Sequence, residues 1–509
     1  MPPLARLFAL SLAWSAAVWP APAQDARTLR VVSPWEIGSL DPSRTGYVFT
    51  RLGVAETLVG ATDGGLPAPA LAASWATSGD GTAWRFTLRG GARFHDATPV
   101  TAEHVAAALR RARDRPGPLA SAPIADILAP DPATVEIRTS RPFAPLPAFL
   151  AHFSAAILAP SSWEGEAVRR VVGSGPYRVT RIEAPLRLDT ERAEGWTGGP
   201  PPEVARVQYR SVGRAETRAA VAEAGQADLV FTLDPPGQAR LRRGGRVEVR
   251  VLPIPRVQVL KLNAASPFFA DVRVRRALSL GLDRAGLAGA VLRNPAAAAT
   301  QFFPPTLEEW HAPGLAPLRH DPAQARRLLA EAGWRPGPDG VLARDGRAFR
   351  VTLRTFSDRP ELPVTATAVQ DQLRDLGIAV QVAVLNSGEI PAGHRDGGLE
   401  MALYARNLAL VPDPLGTLVQ DYGPHGGEWG AMGWSSPELV AALDRLGGGA
   451  DPAERAALRR RVAEVLQDEL PVVPLAWYDH SVAVSPGLAD VSVDPLELSY
   501  RIERIRWAP

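Results

Sequence analysis

The chain has 509 residues, more than one hydrophobic core ordinarily serves, so two or three lobes are expected. Its 46% hydrophobic and 22% charged content is that of a globular protein, and a net charge of +2 without a long block of like charge argues against a nucleic-acid partner. The absence of cysteine excludes disulfides, thiolate metal sites and cysteine nucleophiles. Lys261 is the single lysine, so nearly all positive charge is arginine, the scattered kind that sits on solvated faces.

At the amino terminus Arg6, the apolar run from Leu7 to Val18 and the small residues Ala21-Pro22-Ala23 have the order of a signal peptide cleaved before Gln24. No other stretch approaches the roughly 20 apolar residues of a membrane span. An exported, non-membrane-spanning protein is expected, and with no Cys after the apolar run a lipid anchor is not, which implies the periplasm. Leu29 to Ser33 reads as a strand. Ser78-Gly79-Asp80-Gly81 is a turn, after which Trp84, Phe86 and Leu88 alternate with polar residues, the pattern of a half-buried hairpin strand. Thr101 caps a helix with Glu103 in its first turn and Val105, Ala108, Leu109 and Ala112 on its apolar face. Further on, Val259 to Asn263 is a strand, Asp271 caps a helix from Val272 to Leu282, and Asp321-Pro322 opens a helix that Gly333 closes. A helix from Thr365 to Leu376 stops at Gly377, and Ile378, Val380, Val382 and Val384 alternate into a strand, a crossover in a mixed sheet. Asp451-Pro452 starts the last long helix, through Leu466, and Val472 to Trp477 returns as a strand.

The string Asp80-Gly81, Trp84-x-Phe86-x-Leu88-Arg89, Phe94-His95-Asp96 and Pro99-Val100-Thr101-Ala102 resembles the extracytoplasmic solute-binding proteins of the peptide and nickel uptake family, family 5 of the ABC importers. Gly173-Ser174-Gly175-Pro176-Tyr177 resembles the family's glycine-proline-tyrosine turn entering a central strand, and Ala224 to Leu229 its helix-to-strand link. The resemblance runs from about Val31 to Arg504. It implies an α/β, two-lobed periplasmic-binding-protein fold of type II, with mixed sheets flanked by helices and an extra subdomain in the N-terminal lobe. On that reading residues 1–23 are the signal peptide, 24–262 are lobe I with a subdomain inserted at about 57–160, 263–470 are lobe II, and 471–509 return to lobe I. Ligand would be enclosed by hinge closure.

A search for catalysis finds little. Gly173-Ser174-Gly175 lacks nucleophile-elbow spacing, no HExxH occurs, the eight histidines are dispersed, and a phosphate-loop lysine is missing. No enzyme activity and no cofactor are therefore expected. For binding, Met401, Leu403 and Tyr404 form a strand before Val411-Pro412-Asp413-Pro414, which resembles the family's turn at the cleft. Asp413 either contacts ligand or orders the turn. The aspartate that grips a peptide ammonium in peptide-binding members falls at Leu410, which makes free peptide termini a doubtful ligand. His425 falls where the nickel branch has a histidine and serves as a metal ligand only if the guest is a metal chelate, but the tryptophan of that branch falls at Leu408 and its arginine has no match in His152 to Ile157. Arg406 suits a carboxylate clamp. The resemblance places Trp35, Tyr47, Trp429 and Trp434 in loops around the cleft, and Glu36 where peptide-binding members have a pocket acid. The candidate ligand-binding set is thus Glu36, Tyr47, Arg406, Asp413, His425 and Trp429.

The expected function is the periplasmic substrate-binding component of an ABC importer, a monomer capturing a peptide-like or carboxylate-bearing solute and delivering it to permease subunits. The alternatives are a nickel or metal-chelate binder of the same family, a periplasmic sensor or chaperone-like module, and a hydrolase.

Overall fold

The structure, a computed structural model, describes residues 28–115 and 117–509. The expected signal peptide lies outside the described residues. Among them no helix is long and apolar enough to cross a membrane.

In chain order the elements that matter for the site are β1 (Thr28–Ser33), α1 (Pro42–Arg51), α2 (Ala102–Arg113), β2 (Tyr177–Glu183), β3 (Arg187–Arg192), β4 (Arg206–Ser211), β5 (Leu229–Phe231), β6 (Glu248–Leu262), β7 (Arg350–Phe356), α3 (Glu361–Arg374), β8 (Ala379–Leu385), β9 (Met401–Asn407), α4 (Pro414–Tyr422) and β10 (Val472–Val484). These strands form one mixed sheet of ten, in the order β2-β3-β4-β1-β5-β10-β6-β9-β7-β8. Its two longest members, β6 and β10, run antiparallel from the pair Glu248 with Val484 to the pair Lys261 with Val472. One hydrophobic core gathers on Val31, Tyr209, Phe231 and Val482, another on Val259, Leu278, Leu353 and Val473. The two long strands therefore pass from one core into the other.

That passage is marked by an irregularity. The register shifts between Ile254 and Val257, so Pro255 and Arg256 have no counterpart on β10. Pro253 and Pro255 have no N–H to give to the ladder; Pro255 falls in the bulge, and Pro253 pairs with Asp479 where β10 is the only ladder partner of β6, since β9 joins only from Arg256. A bulge also re-aims a side chain, and here that side chain is Arg256.

A separate four-stranded sheet, Ala72–Thr77, Ala83–Leu88, Thr134–Thr139 and Ile124–Asp131, packs with α2 around Phe86, Val105, Leu109 and Ile137. The hairpin and the Thr101 cap are as expected, with Thr101 accepting the His104 amide N–H. Val411, from far along the chain, completes this third core. One expectation is corrected: the strand after the Gly173–Tyr177 turn is not central but an edge strand of the large sheet. The glycines of that turn are needed for close approach, since a Cβ at Gly175 would lie 2.2 Å from the Gly53 carbonyl oxygen.

Candidate functional site

The site forms where the two principal cores meet. After β1 the chain presents Trp35, and Asp41 caps α1 by accepting the Ser43 amide N–H, with Pro42 at the first helical position. From α1, Tyr47 and Arg51 reach back toward Trp35. The Trp35 and Tyr47 rings stand edge-on at 6.4 Å, and Tyr47 meets Phe153 at 5.4 Å, also edge-on. Phe153 in turn lies 4.0 Å from the ring of His152. These four rings form a continuous wall, with Trp35, Tyr47 and Phe153 each partly accessible.

The opposite side of the wall comes from a distant part of the sequence. The loop from β7 to α3 places the Arg359 guanidinium 4.9 Å from the Trp35 ring centroid and 5.2 Å from that of Tyr478 on β10. Arg51 lies over Trp35 and Tyr47 at 5.8 and 5.4 Å, and Arg256 over Tyr478 at 5.0 Å. Three guanidinium groups thus converge on three aromatic rings, Trp35, Tyr47 and Tyr478.

Their main counter-charge is Glu497. Its carboxylate accepts from Arg256 and, at 2.9 Å, from the Asn407 side chain, while its backbone carbonyl accepts from Arg51 at 2.7 Å. Burial pushes this carboxyl up, but Arg256, His480, Arg51 and Arg359 outweigh that and hold it at about 2. His480, 3.7 Å from it, is pushed down to about 4 by burial and so is neutral at pH 7. Burial raises Glu361, which favours its uncharged form, and pulls Arg256 down to about 10, still charged at neutral pH. Arg256 Nε and Nη1 and Glu361 Oε1 are buried without a hydrogen-bond partner among the described residues. The cluster therefore carries more cationic than anionic charge, and its donors are incompletely used.

Beside it lies a second polar group. Arg406, at the end of β9, donates Nε and Nη2 to Asp421 of α4 at 2.6 and 2.9 Å. Burial followed by the Arg406 charge pushes His152 down to about 3, leaving a neutral imidazole between Arg406 and the aromatic wall. Tyr404 donates its hydroxyl to the Trp429 carbonyl at 2.6 Å, and the Trp429 ring stands edge-on to Tyr404 and Phe356.

With this geometry in place the comparisons are decisive. The profile of the bacterial extracellular solute-binding proteins, family 5 (middle), matches residues 67–429. The chain belongs to that family. Family 5 proteins bind solutes for ABC transport and are not enzymes, and this chain is a solute-binding protein. The glutathione-binding protein GsiB of Escherichia coli K12 is 26% identical over 419 residues, 80% of this chain and 79% of the relative. By structure the chain is similar to NikA from Brucella suis in complex with Fe(III)-EDTA, with a TM-score of 0.82, 23% identity, and 95% and 100% of the two chains covered. AgaA from A. tumefaciens R10 in complex with agropinic acid gives a TM-score of 0.83, 20% identity, and coverage of 95% and 99%. These structural likenesses show the fold, that of two-lobed type II binding proteins with mixed sheets and flanking helices.

Within this solute-binding protein the residues singled out by sequence fall in different places. Tyr47 is in the aromatic wall, and Glu36 is exposed beside it, its carbonyl accepting the Tyr47 hydroxyl at 3.4 Å. Arg406 is near the wall but already engages a carboxylate, Asp421. Trp429 borders the Arg406 group through Tyr404. His425 is exposed in the following loop. Asp413 caps α4, accepting the Leu415 amide N–H at 2.9 Å, and borders another crevice, of about 700 Å³, with Trp310 and Arg459. Trp434 donates its indole N–H to Glu469 at 2.6 Å. Sequence reading passed over Arg51, Arg256, Arg359, Tyr478 and Glu497. The available signals were an arginine directly after two prolines in an apolar strand, Pro253-Ile254-Pro255-Arg256, and the Asp358-Arg359-Pro360 break after β7.

Proposed function

We propose that this protein is the extracytoplasmic receptor of an ABC importer for a carboxylate-bearing solute. The guest is taken up between one lobe of residues 24–262 and 471–509 and another of 263–470. The observation that carries this reading is the surplus of guanidinium groups around Trp35, with Arg359 supplied from the far lobe. In surroundings shielded from water such a surplus favours an anionic guest, and arginine pairs with carboxylates through two parallel hydrogen bonds. Trp35, Tyr47 and Phe153 offer flat faces and edges that order at small entropic cost. A guest that touches Arg359 and Trp35 together binds the closed form better than the open one, and that difference drives closure.

The guests named for the relatives, glutathione, agropinic acid and an EDTA chelate, all bear carboxylates. Leu410 stands where a peptide ammonium would need a carboxylate, so acid recognition rather than amine recognition is the basis of selection. Among the described residues no group of three or more His, Cys, Asp or Glu side chains is arranged to hold a metal ion. A metal would therefore arrive inside a chelate whose own carboxylates meet the arginines, which keeps the chelate alternative within the same reading. Residues 1–23 direct export to the periplasm, and the closed monomer docks on permease subunits.

Mass spectrometry of the solute released from natively purified protein, followed by calorimetry with di- and tricarboxylic acids, short peptides and metal chelates, tests this. A bound acid is expected. Stabilisation by neutral sugars or cations alone, with every acid inert, overturns it.

A further inference from the structure

Lys261 is the only lysine of the chain, and its side chain is fully buried. It sits on β6, and its Nζ lies 2.9 Å from Nδ1 of His394, 2.9 Å from the Gly427 carbonyl oxygen and 2.8 Å from that of Glu428. An ammonium has three N–H donors, and these are three acceptors when the imidazole is neutral. The two carbonyls belong to the loop 423–430, which carries His425 and Trp429. That loop is wound tightly on the end of α4: the Ala431 amide N–H donates to the Asp421 carbonyl, and a Cβ at Gly430 would lie 2.1 Å from the same oxygen. Lys261 thus fastens a loop that is also held by the backbone of Asp421, the partner of Arg406, by the Tyr404 hydroxyl on the Trp429 carbonyl and by Arg395 on Glu428.

The groups that act on the lysine come from every side. Asp421 of α4 and Glu428 of the loop attract its charge, and Arg406 of β9 repels it. His394 lies on the helix Glu389–Arg395, whose Arg395 pairs with Glu428 at 2.5 Å. Burial is the largest influence and draws Lys261 down to about 7, while burial followed by the lysine's own charge lowers His394. The neutral amine is equally well satisfied here, giving two N–H groups to the carbonyls and accepting from His394 Nδ1–H. Both protonation states fit the same geometry.

We propose that Lys261 is a proton-carrying positioning residue, which holds the 423–430 loop against the cleft and is coupled through Asp421 to Arg406, so that an anion arriving beside Arg406 draws a proton onto the lysine. The second half rests on the carboxylate reading above; the coupling itself does not. By linkage, a solute that raises proton occupancy of Lys261 binds more tightly at pH 6 than at pH 8.

The test needs no solute. With lysine labelled at 13Cε, the full protein gives one lysine side-chain signal, which can be followed from pH 5 to 10. A midpoint near neutrality is expected in the native protein. In Asp421→Asn, which removes the attracting charge and leaves Arg406 uncompensated, the midpoint is expected to fall by about one pH unit. Hydrogen exchange gives the positioning readout: Lys261→Met should speed exchange in 423–430 at fixed pH and leave β1 and β4 unchanged. A native midpoint above 9, or one that Asp421→Asn leaves in place, overturns the coupling, and unchanged loop exchange in a folded Lys261→Met overturns the positioning role. Should Lys261→Met fail to fold, the titration of the native lysine still decides the coupling. Failure here leaves the carboxylate reading standing, and failure of every acid to bind leaves the titration standing.

Discussion

The Arg359 guanidinium and the Trp35 ring, 324 positions apart in sequence (359 − 35), meet face to centre at 4.9 Å across the junction of the two principal cores. On the reading proposed above, this contact makes Arg359 both part of the guest's surroundings and part of what is gained on closing.

Replacing Arg359 with Met keeps much of the side-chain bulk and removes the charge. A hydrogen bond to a charged group contributes about 1.5 to 3 kcal/mol, so acid affinity is expected to fall about 10- to 100-fold. Calorimetry measures the loss, and small-angle scattering should show the solute-saturated variant to be less compact than the native complex.

Glu497→Gln leaves Arg256 and Arg51 without their main counter-charge. Breaking a buried pair from one side costs about 3 to 5 kcal/mol, read as a lowered denaturant midpoint at pH 7. The carboxyl titrates at about 2 in the folded protein against 4.5 ordinarily, so its stabilisation is complete above 4.5 and is lost as pH falls toward 2. The gap between native and variant stabilities should narrow across that window and be flat from pH 5 to 7.

Asp413→Ala separates two roles for this residue. As the cap of α4 it should cost about 1 kcal/mol of stability, recovered by Asp413→Ser, with solute affinity unchanged. A large affinity loss at unchanged stability would make it a ligand contact instead.

Gly175→Ala drives a methyl group onto the Gly53 backbone, which has no room to yield. Overpacking of this kind costs about 1 to 3 kcal/mol, measured as a lower melting temperature.

Locally encoded features were legible from sequence. The hairpin at Ala83–Leu88 and the Thr101 cap depend on neighbours within a few residues, and both appear as expected. The lengths of β6 and β10 were not: only 259–263 and 472–477 read as strand, because Pro253 and Pro255 punctuate the apolar run, and the bulge at Pro255 and the one-sided pairing at Pro253 depend on β10 and β9, more than 100 residues away. α3 likewise begins at Glu361 rather than Thr365, since Pro363 falls in the first turn, where a missing N–H costs nothing. The edge position of β2 follows from strand pairings no local pattern records. In the site, Trp35 and Tyr47 were visible as aromatic residues, and Trp35 lies in a loop as expected, but Tyr47 does not: it sits on α1, because the helix capped by Asp41 with Pro42 at its first position runs through to Arg51. The arginine cluster was hidden because isolated arginines read as surface charge, and only tertiary contact shows Arg256 to be 2% exposed.

The unbroken ten-stranded sheet bears on how such a receptor moves. Where two halves are joined by flexible linkers, separation can be loose and wide. Here β6 and β10 run through both principal cores, so on the proposed reading opening is a change of twist in one hydrogen-bonded ribbon, centred on the bulge beside Pro255. A ribbon used in that way acts as a torsion spring, which keeps its backbone pairing and limits the swing.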